Sequence, residues 1–121
     1  MHELSVAVEL VELAAAEVER LGEVRAVALH LRVGPLAGVV EEALIFSFDV
    51  ATAGTPLEGA RLVIEREDVT AWCDDCAQRR TLANMHDRRC PECGRPTPRL
   101  LSGDSLELVA LEIHDHVRPD R

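Results

Sequence analysis

The strongest constraint in this sequence is a pair of cysteine knuckles, Cys73-Asp74-Asp75-Cys76 and Cys90-Pro91-Glu92-Cys93, with thirteen residues between them. Two residues between cysteines allow a tight turn to aim both sulfurs at one ion, and a second such turn completes a tetrahedron around zinc. Pro91 fixes φ in the second turn, and Gly94 permits the left-handed backbone just after it. A thioredoxin-like redox site needs only one Cys-x-x-Cys. A disulfide framework belongs to oxidising compartments, whereas this N-terminus lacks the basic region and apolar core of a secretory signal. The expected location is therefore the cytoplasm, with the thiols reduced and available to metal. Four thiolates close the coordination sphere, so the expected Zn(II) is structural or regulatory, with no open position for a substrate.

The knuckles sit in a stretch, residues 70–99, that differs from the rest of the chain. It holds all four cysteines, six arginines against four acids, and Trp72 as its only aromatic residue. About 30 residues with so little apolar bulk cannot build a core alone, whereas a structural zinc contributes about 10–16 kcal/mol. The stretch is read as an inserted zinc-binding module, 70–99, within a host domain formed by 1–69 and 100–121. The 121-residue chain carries 13 basic and 22 acidic side chains, a net charge of -9, and every base is arginine. With the module near neutral once metallated, the acidity resides in the host. That balance opposes phosphate backbones and anionic membranes, and the module lacks the aromatic stacking residues of a nucleic-acid ribbon. No apolar run is long enough for a membrane span.

Periodicity supplies the host elements. Leu4, Val8, Val11, Ala15 and Val18 recur at helical spacing, and Gly22 suits a left-handed helix end. Val24 to Val33 alternates, with Val27, Leu29, Leu31 and Val33 on one face and Ala26, Ala28, His30 and Arg32 on the other. After Gly34-Pro35, the residues Val40, Leu44, Phe48 and Ala51 mark a second helix running to about Ala53. Ala60 to Glu67 reads as a second strand, and Leu106 to Ile113 as a third, apolar enough to be central in the sheet. The tail from Asp115 reads as frayed. Together these give an α+β fold in which two helices pack on a three-stranded mixed sheet, with the four-cysteine zinc-ribbon-like module inserted.

The N-terminus offers a second metal-binding pattern. His2 is too large for efficient removal of the preceding methionine, so the amine stays on Met1. That amine, the His2 backbone nitrogen and the His2 imidazole can form adjoining chelate rings. Nitrogen-rich planar ligation favours Ni(II) or Cu(II) over zinc. Taken alone, a histidine at position 2 is more often an exposed side chain. His30 reads as a packing residue, His86 as a loop histidine near the zinc, and His114 and His116 as solvated tail residues. No phosphate loop, nucleophile elbow or catalytic triad is present, so the chain is not expected to be an enzyme.

The combination resembles the HypA/HybF hydrogenase maturation factors. The residues that carry the resemblance are Met1-His2-Glu3-Leu4-Ser5, the Val33-Gly34 turn, Leu44-Ile45-Phe46-Ser47-Phe48, Gly59-Ala60, the paired knuckles and Gly103-Asp104-Ser105-Leu106-Glu107-Leu108. The resemblance implies a nickel metallochaperone serving the large-subunit precursor of [NiFe] hydrogenase together with a nickel-binding maturation GTPase. It implies Ni(II) as transient cargo at Met1, His2 and Glu3, where Glu3 contributes its backbone nitrogen and is a candidate to add its side chain. It also implies Zn(II) at Cys73, Cys76, Cys90 and Cys93. Some family members place a histidine directly after a knuckle, tied to pH-dependent metal handling, whereas Ala77 and Gly94 stand there in this chain. Two other readings follow from the residues: a zinc-ribbon module that docks protein or nucleic acid without nickel, and a thiol-disulfide enzyme.

Overall fold

The structure, a computed structural model, describes residues 3–84 and 86–115. The expectations for Met1, His2 and the tail from His116 fall outside those residues. The elements in chain order are α1 (Glu3–Leu21), β1 (Val24–Val33), a 3-10 turn (Pro35–Ala37), α2 (Glu41–Thr52), β2 (Arg61–Arg66), β3 (Thr70–Cys73), β4 (Gln78–Thr81), β5 (Arg99–Ser102) and β6 (Leu106–Asp115). They form an α+β fold with two helices and two three-stranded sheets, one ordered β2-β1-β6 and the other β4-β3-β5. The chain divides into two compact units, Met1–Leu31 with Val39–Ile64 and Leu108–Arg121, and Arg32–Gly38 with Glu65–Glu107.

In the first unit, α1 and α2 pack together. Apolar residues cover much of the α1 circumference, so sequence spacing alone admits several stripes. The stripe that is buried comprises Ala7, Leu10, Val11, Ala14 and Val18, whereas Leu4 and Val8 of the expected face are 49% and 40% exposed. On α2 the expected Leu44 and Phe48 are both fully buried, and Thr52 completes their stripe. Along β1 the expected alternation holds for Leu29, Leu31 and Val33, but Ala26 and Ala28 are buried as well. A methyl side chain is short enough to be covered by its neighbours on either face of a sheet.

Sheet order differs from the expectation for the third strand. β1 occupies the centre and β6 an edge. The apolar run of β6 is spent on half-buried positions, and Ile113 remains 36% exposed. An open groove of about 340 Å³ runs between Ala14, Glu17 and Leu21 of α1 and Leu108–Leu111 of β6. The strand also extends through Asp115, one residue into the expected tail.

In the second unit, Val69, Ala71 and Leu82 form a small core with Leu36 and Leu100 packed against it. Gly34 passes so close to the loop after β5 that a Cβ there would lie 2.1 Å from the Gly103 carbonyl oxygen. The Gly34 N–H donates to the Ser105 carbonyl at 2.9 Å, and the Leu36 N–H donates to the Gly103 carbonyl at 2.8 Å. Glu67 closes the same region, accepting from the Gly103 N–H, the Ser105 N–H and the Ser105 hydroxyl at 2.6, 3.2 and 2.7 Å.

Candidate metal centre

Both knuckles grow from short antiparallel segments. β3 pairs with β4 in the register Ala71↔Arg80 and Cys73↔Gln78, so the first knuckle occupies the turn of a hairpin. That turn ends in Ala77 with φ 55, the left-handed region in which a Cβ costs roughly 1 kcal/mol. Gly94 occupies the equivalent place after the second knuckle, with φ 77 and no such penalty. The second turn is tied by the Cys90 N–H to the Arg95 carbonyl and the Gly94 N–H to the Cys90 carbonyl, both at 2.8 Å. Thr97, 1% exposed, anchors its base through its hydroxyl to the Arg88 carbonyl.

These turns gather the four cysteine sulfurs within 4.8 Å of one another. Cys73 and Cys93 sulfurs are 3.5 Å apart, and those of Cys76 and Cys90 are 3.9 Å apart, with no disulfide among them. A tetrahedron with zinc–sulfur bonds of about 2.3 Å has edges of about 3.8 Å, so the donor set fits zinc in both chemistry and spacing. Cys73 and Cys90 are buried, Cys76 is half-buried and Cys93 is exposed.

Hydrogen bonds prepare the sulfurs for negative charge. The Cys76 N–H donates to the Cys73 sulfur and the Glu92 N–H to the Cys90 sulfur, each at 3.4 Å. Desolvation pushes the Cys90 thiol up, but backbone N–H groups of Cys93 and Glu92, with the Cys73 and Cys93 side chains, outweigh it and bring it down to about 6. At Cys93 the Arg95 N–H favours the thiolate, yet burial and the three neighbouring sulfurs prevail and hold it up to about 12. Without a cation the cluster therefore accepts its first negative charge readily and resists the last. A dication removes that resistance.

Arg80, which sequence reasoning passed over, reaches this cluster. Interaction with the Cys76 side chain chiefly, and with Cys90, raises its pKa above the ordinary arginine value against the opposing effect of burial. Among the described residues, the group that gathers metal-ligating atoms consists of the four cysteines and includes no histidine. His86 is exposed, with its backbone N–H on Asn84 Oδ1 at 2.8 Å, and His30 Nε2 lies 3.2 Å from Glu112 Oε1 across strands β1 and β6. His114 is exposed on β6. Of the N-terminal trio only Glu3 is described. Its carboxylate accepts from the Val40 N–H at 2.9 Å, at the start of α2.

Fold and sulfur centre together define a small metal-binding α+β protein. The sequence profile described as hydrogenase/urease nickel incorporation, metallochaperone, hypA matches residues 1–113. A relative from Roseiflexus sp., named hydrogenase maturation factor HypA, is 47% identical over 115 residues, covering 95% of this chain and 94% of that one. A protein of the same name from Chloroflexus aurantiacus is 50% identical over 112 residues, covering 93% and 98%. The chain belongs to the HypA family, a family of metallochaperones and not of enzymes. Two solution structures share the fold. The Ni metallochaperone HypA from Helicobacter pylori has a TM-score of 0.65 at 21% identity, covering 96% of this chain and all of that one. A second HypA protein has a TM-score of 0.71 at 20% identity, covering 94% and 97%. Among the described residues no helix is long and apolar enough to cross a membrane.

Proposed function

We propose that this chain carries Ni(II) at Met1, His2 and Glu3 and passes it, in the cytoplasm, to the large-subunit precursor of [NiFe] hydrogenase. A nickel-binding maturation GTPase is the partner in that transfer, and Zn(II) is held by Cys73, Cys76, Cys90 and Cys93. The observation that carries the reading is the family match over residues 1–113, which takes in both the Met-His-Glu start and the four cysteines. Division of the chain into a nickel-binding domain, 1–69 with 100–121, and a zinc module, 70–99, belongs to the same proposal.

The chemistry of the N-terminus suits a carrier. An α-amino group titrates near about pH 8, so its ligation is reversible around neutrality. Glu3 is the first residue of α1. Its carboxylate accepts from the Val40 N–H, and in this reading Glu3 offers its backbone nitrogen, with the side chain as a further candidate. Copper outcompetes nickel at nitrogen sites, so selectivity falls to metal supply and to docking on the right partner. Zinc, when bound, supplies a fixed cross-link between the two knuckles and no reactive position.

Titration calorimetry of Ni(II) into untagged protein and into His2→Ala tests the assignment. A loss of tenfold or more in affinity is expected for the variant, while equal affinities would remove the N-terminus from consideration. Strongly salt-dependent binding of DNA or RNA would instead favour the ribbon-module reading.

A further inference from the structure

Strand alternation places Arg80 on the inner side of the β3–β4 hairpin. Its partner across the strands is Ala71, which is fully buried, and Cys73 lies two residues along on the same face. Arg79 faces the other way, directly across from Trp72, and its guanidinium donates to the Thr70 hydroxyl at 3.4 Å. Arg80 is half-buried, its Nε is fully buried without a hydrogen-bond partner, and interaction with the Cys76 and Cys90 side chains raises its pKa. Leaving an N–H of a cation buried and unpaired is unfavourable. The side chain adopts this position because the sulfurs offer compensation: four thiolates around a dication leave two negative charges in a small volume.

We propose that Arg80 is a positioning residue of the metal centre, a charged donor that binds the Cys76 and Cys90 sulfurs from outside the coordination sphere and holds the metal by offsetting the charge of its four thiolates. The two contacted sulfurs come one from each knuckle, so a single guanidinium clasps the two turns together. Fork geometry matters, because a planar guanidinium can address two acceptors at once whereas an ammonium acts as a point charge. The inference rests on the zinc reading of the cysteines and concerns how firmly, and with what sulfur electronics, the ion is held.

The experiment begins with metal analysis of the purified full chain. Absence of one tightly bound zinc per chain would overturn the zinc reading itself, independently of Arg80. With zinc present, the rate of its transfer to a competing chelator is measured for wild type, Arg80→Gln, Arg80→Lys and Arg79→Gln. In parallel, cobalt-substituted samples report sulfur-to-metal charge-transfer energies. Arg80→Gln is expected to release zinc about tenfold to a hundredfold faster, the range typical of lost outer contacts to metal ligands. Its charge-transfer bands should move to lower energy, because sulfurs relieved of a charged donor give up electron density more easily. Arg80→Lys should release zinc at an intermediate rate with a smaller band shift, and Arg79→Gln should match wild type in both. Unchanged bands and unchanged release in Arg80→Gln would overturn the proposal, as would an equal effect from Arg79→Gln. If Arg80→Gln does not fold, the Arg80→Lys bands decide: a shift supports the role and wild-type positions refute it.

Discussion

Glu67 shows how a single side chain closes a region that sequence patterns leave open. Its carboxylate gathers three donors from Gly103 and Ser105, thirty-six and thirty-eight residues away. The Ser105 hydroxyl chiefly, with the two backbone N–H groups and Arg32, holds its pKa below the ordinary 4.5 against the opposing effect of burial. A carboxylate lowered in the folded state contributes stability that is complete above the unfolded value and disappears as pH falls through the folded one. Wild type should therefore lose stability more steeply than Glu67→Gln as pH drops below 4.5, while at pH 7 the variant should be less stable by about 1.5 kcal/mol, the low end for charged hydrogen bonds. Denaturant unfolding at several pH values checks this, and parallel pH profiles would refute it. None of these contacts was legible in the sequence, because hydrogen bonds between distant loops leave no local pattern. The cysteines were legible, since their spacing is itself the geometry of the turn.

On the scale of elements, α2 separates two phenylalanines two residues apart. Phe48 is fully buried, whereas Phe46 is 71% exposed beside the exposed Ile45 and Val50. Phe48→Ala should cost about 3–5 kcal/mol through lost burial and the cavity left behind. Phe46→Ala should change stability by less than about 0.5 kcal/mol, as surface substitutions do. Thermal or chemical unfolding of the two variants distinguishes them, and comparable losses would contradict the packing described. Helical spacing identified Leu44 and Phe48 correctly, since they fall one turn apart on the face that α2 buries. In α1 the same method chose a stripe containing Leu4 and Val8, since apolar residues fall on several sides and only the neighbouring helix selects among them. β6 was misplaced for a related reason: apolar content measures how much surface a strand can bury, not which strands flank it.

Across the whole molecule, the Val69, Ala71 and Leu82 core is small, and the four sulfurs repel one another once ionised. Chelation should therefore melt β3, β4 and β5 while the helical signal of α1 and α2 persists, because those helices bury their own apolar faces. Hydrogen exchange and circular dichroism before and after metal removal follow the two regions separately. Retained protection of the β3–β5 amides in metal-free protein would show that zinc is dispensable to them. The sequence by itself determined what local spacing encodes: the two helices, the strands β1, β2 and β6 but not β3, β4 and β5, and a four-sulfur centre whose geometry two short turns can specify. Tertiary structure decided which helix stripe is buried, which strand is central, and which arginine reaches the sulfurs. Those choices depend on contacts between segments far apart in the chain, where many pairings satisfy the same periodicity and only close packing of the folded molecule selects one.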